Sequence, residues 1–189
     1  MIDDRAFDFA RLRVLCADAN ANMRRIYRSL LLGIGCADAA VVDDGAAAYQ
    51  QFISSTFDIL ITDIDLPSVT GLELIERIRK RSDQSRFTPV IVCTSEATIQ
   101  SIKEARDLGA TEFLAKPISA QKLRERIVGV VTRPRPFVET KTFFGPDRRR
   151  ARAQGNGGGK GVNASHRRRA DDVAAAIAGQ TENPGEATP

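Results

Sequence analysis

Four polar residues, Asp18, Asp63, Thr94 and Lys116, each stand at or just past the end of a separate short apolar run. If those runs are parallel strands, their last residues arrive together at one carboxyl edge, the place where open sheets with alternating helices build ligand sites. Two carboxylates, a hydroxyl and an ammonium gathered at such an edge suit chemistry on an anionic group. Asp63 would then be a nucleophile held among a metal site, a hydroxyl and a lysine.

The elements that must deliver these residues follow from hydrophobic periodicity. Residues 12–17 form a strand, and residues 20–32 a helix with Met23, Ile26, Tyr27, Leu30 and Leu31 on one face and Gly33 closing it. Short strands at 39–42 and 58–62 flank a helix at 46–53, and Leu72, Leu74, Ile75 and Ile78 mark a helix over 71–80. Pro89 opens the fully apolar strand 90–93, which suits a sheet covered on both faces. A helix over 99–108 stops at Gly109, and strand 111–115 and helix 118–131 complete five pairs. Because crossovers between parallel strands are right-handed, the fold predicted is α/β, a doubly wound five-stranded parallel sheet with helices on both faces.

Length and charge add a second region. The chain has 189 residues, enough for one ordinary domain and an extension. Residues 1–132 carry 17 Lys+Arg against 18 Asp+Glu, whereas residues 133–189 carry 11 against 6. No apolar stretch is long enough to span a bilayer, and the start Met1-Ile2-Asp3-Asp4-Arg5 lacks the order of a signal peptide, so the cytoplasm is the expected location. Cys16 and Cys93 fall in strands and Cys36 follows a helix; three cysteines without CxxC spacing read as reduced core residues.

The segment Ile59-Leu60-Ile61-Thr62-Asp63-Ile64-Asp65-Leu66-Pro67-Ser68-Val69-Thr70-Gly71-Leu72-Glu73-Leu74, with Cys93-Thr94-Ser95 and Lys116-Pro117, resembles the receiver domains of response regulators, whose fold is flavodoxin-like and CheY-like. The resemblance divides the chain into an N-terminal extension at 1–10, a receiver domain at 11–132 and a flexible arginine-rich extension at 133–189. It implies that Asp63 accepts a phosphoryl group from a histidine kinase or phosphotransfer protein. A carboxylate attacks an anionic phosphoryl group poorly, so Mg²⁺ is expected to neutralise charge and align oxygens. Asp18, Asp63 and the backbone carbonyl of Asp65 match the metal positions. Thr94 and Lys116 match the contacts to phosphoryl oxygens, where the lysine charge strengthens its bond. The resemblance also implies a cis peptide at Lys116-Pro117. Phe113 matches an aromatic switch residue, although an ordinary half-buried aromatic on an edge strand is equally consistent with its position. The output face would be the fourth helix, fifth strand and fifth helix.

One position departs from the pattern. Receivers carry two adjacent acids after the first strand, and here Asp18 is followed by Ala19. Weakened Mg²⁺ binding and slower phosphorylation are expected, with the Asp65 side chain compensating in part through water. The alternative is a receiver that keeps the fold and works without phosphate.

Past residue 132, Arg133-Pro134-Arg135-Pro136 ends the last helix, because proline lacks the donor and restricts the residue before it. RRRA occurs at Arg148 and again nineteen residues later at Arg167, with Asp147 beside one copy and Asp171 beside the other and a glycine-rich linker between. From Arg148 to Arg169 there are eight basic residues and no acidic one. Guanidinium groups stack on bases and grip the O6/N7 edge of guanine in a fork, and a neighbouring carboxylate accepts from the guanine N1 and N2 donors. Gly145-Pro146-Asp147-Arg148-Arg149 and the second cluster resemble the extension of the CheY-like Cle proteins, which binds cyclic di-GMP and acts at the flagellar motor. The resemblance implies a ligand set of Asp147, Arg148, Arg149, Arg150, Arg152, Arg167, Arg168, Arg169 and Asp171. The Arg148 to Arg152 spacing also matches the RxxxR of PilZ domains, but no barrel-forming sequence follows. A signalling adaptor is therefore expected, not an enzyme, with a downstream protein such as the flagellar motor switch. No DNA-binding helix-turn-helix follows residue 132, so DNA binding is not expected; the rival is a basic extension that takes nucleic acid, a membrane surface or another polyanion, and salt dependence separates the two.

Overall fold

The computed structural model describes residues 7–148. Strands β1 (Arg13–Ala17), β2 (Asp38–Val42), β3 (Ile59–Thr62), β4 (Val90–Thr94) and β5 (Glu112–Ala115) alternate with helices α1 (Ala21–Gly33), α2 (Gly45–Ser54), α3 (Gly71–Arg79), α4 (Ile99–Asp107) and α5 (Ala120–Thr132). The sheet is parallel, in the order β2-β1-β3-β4-β5. Strand order reverses between β1 and β3, and the register there aligns Ala17 with Thr62, one residue before Asp18 and Asp63. That crevice is where such sheets bind ligands.

Alternate strand residues build two cores. Val14, Cys16, Ile59, Ile61, Ile91 and Cys93 pack with Tyr27 and Leu31 of α1 and Leu123 and Ile127 of α5. Leu15, Leu60, Val90 and Val92 pack on the other face with Leu74, Ile75 and Ile78 of α3 and Ala105 of α4. All three cysteines are free and buried, as expected. Ile26 departs from its expected face and is 40% exposed. Side-chain caps fix the helix starts on the site edge. Asn20 accepts from the amides of Asn22 and Met23, Asp44 from those of Ala46 and Ala47, and Thr70 with Glu73 forms a reciprocal capping box.

Packing runs past both expected boundaries. Phe7 and Phe9, assigned to an N-terminal extension, are buried in the α1–α5 core with ring centroids 4.6 Å apart. The extension after α5 does not leave the domain at once. Phe137–Glu139 (β6) and Phe144–Pro146 (β7) pair antiparallel as a hairpin at the edge where β4 and β5 begin. Phe137 is 1% exposed and stacks edge-on with Phe87, while Phe144 packs against both rings. Three aromatic rings supply the apolar area that a two-stranded ribbon needs from its surroundings.

Two arginines hold the hairpin down. Arg79 donates to the carbonyls of Gly109, Arg86 and Thr88 and lies 5.1 Å from the Phe137 ring centroid. Burial, with the nearby Arg86 charge, pulls its guanidinium down to about 9, so it stays charged at neutral pH. Arg86 stacks 3.5 Å from the Phe144 centroid and pairs with Glu139 at 3.2 Å. The hairpin also needs close backbone approach: a Cβ on Gly145 would lie 2.8 Å from Gly109 Cα. Gly109 has φ +102°, a left-handed conformation that favours glycine.

Candidate phosphoacceptor site

Three of the four residues singled out in the sequence, Asp18, Asp63 and Lys116, meet through their side chains, and Thr94 ends the neighbouring strand β4. Asp18 follows β1, its amide donating to Val42 O at 3.1 Å, and it is fully buried. Its Oδ1 accepts from the Asn20 amide at 2.9 Å, and its Oδ2 lies 2.7 Å from Lys116 Nζ. Asp63 follows β3, its amide donating to Ala17 O. Asp63 Oδ1 accepts from the Ile64 amide at 2.7 Å, while Oδ2 accepts from Lys116 Nζ at 2.5 Å. Lys116 follows β5, donates its amide to Thr94 O and precedes a cis peptide to Pro117.

Lys116 thus bridges both carboxylates. Burial alone would pull its ammonium down, but hydrogen bonds to Asp18 and Asp63 and their charges outweigh that and raise it above the ordinary lysine value. Thr94 ends β4, buried, with Oγ1 accepting from the Glu96 amide at 3.1 Å. Phe113 is half-buried on β5 and packs against the α2–α3–α4 core.

Ala19 and Asp65 are both exposed at the mouth of the site. Among the described residues no group of three or more His, Cys, Asp or Glu side chains stands close enough to hold a metal. The donors brought together, the carboxylates of Asp18 and Asp63, are oxygen. That set fits Mg²⁺, which is held by one or two carboxylates with water completing its shell. The set is one carboxylate short at Ala19.

Several supporting residues are not apparent from the spacing of the quartet. Arg24 Nη1 donates to the carbonyls of Asp18 and Ala19 at 2.9 and 2.7 Å, pinning the loop after β1. Ser68, with φ +58°, donates Oγ to Asp44 Oδ2 at 2.5 Å and ties the loop after β3 to the start of α2. That bond, ahead of those from the Ala47 and Ala46 amides, holds the Asp44 carboxyl below its ordinary value. Gly71 allows α3 to start against Asp63: a Cβ there would sit 1.8 Å from Asp63 O. The glycine could have been found in advance; the Ser68–Asp44 bond joins loops 24 residues apart, and the Arg24 bonds, though local, depend on how the loop after β1 turns back over α1.

Residues 14–128 match the model of the response regulator receiver domain. The chain belongs to the response regulator receiver family. Within the receiver, chemotaxis protein CheY of Pseudomonas aeruginosa is 34% identical over 122 residues, 65% of this chain and 98% of that protein. Chemotaxis protein CheY-3 of Vibrio cholerae is 31% identical over 116 residues, 61% and 88% of the two chains. The high-resolution structure of chemotaxis response regulator CheY4 of Vibrio cholerae superposes on this receiver with a TM-score of 0.59 at 28% identity, covering 63% of this chain and 98% of that one. A receiver domain from the sensor histidine kinase PA1611 of Pseudomonas aeruginosa, solved with a magnesium ion in its active-site cleft, shares the fold with a TM-score of 0.57 at 24% identity, over 62% of this chain and 94% of that one. Among the described residues no helix is long and apolar enough to cross a membrane.

The hairpin lies beyond the residues that the family model matches. Of the proposed guanine-reading set, Asp147 and Arg148 are described. The Asp147 amide donates to Pro136 O at 2.8 Å. Arg148 Nη1 pairs with Asp107 Oδ1 at 2.8 Å, and its guanidinium lies 3.8 Å from the Phe143 ring centroid. Arg149, Arg150, Arg152, Arg167, Arg168, Arg169 and Asp171 lie outside the described residues.

Proposed function

We propose that this receiver takes a phosphoryl group on Asp63 and that the arginine-rich extension binds cyclic di-GMP, the two inputs together setting which protein partner is engaged. The observation that carries the first part is the bridge of Lys116 between Asp18 and Asp63 at the carboxyl edge. In the transfer, an Asp63 carboxylate oxygen bonds to phosphorus while the P–N bond to a kinase or phosphotransfer histidine breaks. The imidazole keeps the electron pair and takes up a proton. Lys116 then turns one of its donors from carboxylate to a phosphoryl oxygen, and the Thr94 hydroxyl supplies another contact. Asp18, Asp63 and the Asp65 carbonyl would hold Mg²⁺, whose charge would neutralise that of the phosphoryl group. Phe113 is the proposed reporter of that change to the α4–β5–α5 face.

The likeness to chemotaxis proteins supports a cytoplasmic adaptor of two-component signalling with a motility target such as the flagellar motor switch. Its role is that of acceptor and binding module, with no catalytic output. Ala19 favours a second reading, a receiver that works unphosphorylated, because it stands where the family carries a second acid and leaves the metal position one carboxylate short.

Incubation with acetyl phosphate and Mg²⁺, read by intact mass, separates the two readings. One added phosphoryl group, absent in Asp63→Asn, is expected; no adduct at saturating Mg²⁺ would leave the phosphate-independent adaptor. For the extension, calorimetric titration of the full chain should give tighter binding of cyclic di-GMP than of cyclic di-AMP. Equal heats for the two, with affinity collapsing as salt rises, would identify a general polyanion binder instead.

A further inference from the structure

The basic run does not begin in free solvent. Arg135 pairs with Glu112 of β5 at 3.0 Å, the hairpin packs on Phe87 and Arg79, and the chain is thereby delivered to the end of α4. There Arg148, the first residue of the run, finds three partners. Nη1 pairs with Asp107 Oδ1 at 2.8 Å, Nη2 donates to Asp107 O at 3.1 Å, and the guanidinium rests on the Phe143 ring. Asp107 is the last residue of α4, where unpaired carbonyls add negative potential to its carboxylate. Gly145 makes the arrangement possible, since a Cβ there would lie 2.7 Å from the Phe143 ring and 2.8 Å from Gly109 Cα.

A guanidinium fork held against an aromatic ring is a device for gripping a guanine edge or a phosphodiester, and here the fork is filled by a carboxylate and a carbonyl of the same protein. The side chains of Arg148 and Asp107 are 34% and 43% exposed, so an anion from solvent can reach them. We propose that Phe143 and Arg148 grip a guanine edge or phosphodiester of the dinucleotide and that Asp107 occupies Arg148 until the ligand displaces it. This rests on the reading of the extension as a cyclic di-GMP binder. It adds a receiver residue, Asp107, that competes with the ligand and links occupancy of the extension to the end of α4.

The test is calorimetric titration of the full chain with cyclic di-GMP, comparing wild type, Asp107→Asn, Arg148→Ala, the double variant and Asp38→Asn. Asp38→Asn makes the same charge change at an exposed ion pair with Arg13 at the start of β1. Asp107→Asn should bind about three- to five-fold more tightly, the scale of one exposed ion pair, and Asp38→Asn should match wild type. Arg148→Ala should bind about tenfold more weakly, and in that background Asp107→Asn should have no effect. Equal tightening by Asp107→Asn and Asp38→Asn would reduce the effect to net charge and overturn the proposal. So would an unchanged affinity in Asp107→Asn, with the ligand reading left standing. A wild-type chain that does not distinguish cyclic di-GMP from cyclic di-AMP would overturn both.

Discussion

Replacing Phe137 by alanine tests whether the segment after α5 is part of the folded receiver. The side chain is 1% exposed, with its ring 5.2 Å from Phe87 and 5.3 Å from Phe144 and the Arg79 guanidinium 5.1 Å away. Buried Phe→Ala changes cost about 3–5 kcal/mol, through lost transfer energy and the cavity left behind. The lower end applies here, because the site lies at the sheet edge under two three-residue strands that can settle inward, and because water reaching Arg79 relieves its desolvation. A loss of about 3 kcal/mol is expected, which for a domain of this size lowers the melting temperature by about 6–12 °C. Phe137→Leu keeps most of the apolar area and should cost about 1.5 kcal/mol or less. Far-UV circular dichroism under heat and urea measures both variants. A Phe137→Ala loss below about 1 kcal/mol would show that the hairpin unfolds apart from the receiver, and would refute its role as a docked element.

Other changes probe the site itself. Lys116→Met removes the cation between Asp18 and Asp63 and should cost about 3–5 kcal/mol at pH 7 in denaturant melts. In the wild type the Lys116 ammonium is held above its ordinary value of 10.5. Its stabilisation should be complete below that pH and disappear as pH rises through the higher folded value, which stability measured across the alkaline range will follow, with Asp63→Asn shrinking the effect. Ala19→Asp should raise Mg²⁺ affinity about tenfold, read by Mg²⁺ dependence of acetyl phosphate labelling. Gly145→Ala, whose new carbon would meet Gly109 Cα at 2.8 Å, should cost about 1–3 kcal/mol and speed hydrogen exchange across residues 137–146.

The sheet was legible because each strand is a short apolar run, and the helices between them carry apolar residues at helical spacing with glycine stops at Gly33 and Gly109. Asp18, Asp63, Thr94 and Lys116 were legible because strand ends in a parallel sheet share an edge. The hairpin was not legible. Pro134 and Pro136 end a helix, and the arginines beyond them suggest a solvated tail. Phe137 and Phe144 show their value only when Phe87, fifty residues earlier in the chain, is placed beneath them. Arg79 likewise falls at the end of an amphipathic helix and looks like a surface cation, yet it is buried among three carbonyls and a ring.

By itself, then, the sequence determined the fold class, the strand ends that meet and the missing acid at Ala19, all of which depend on local periodicity or on spacing within a known topology. Tertiary structure decided that one ammonium serves two carboxylates, that Phe7 and Phe9 belong to the core, and that the first arginine of the basic run is held by Asp107. These are pairings between residues far apart along the chain. Local pattern carries no record of them, because their energy exists only once the chain has closed.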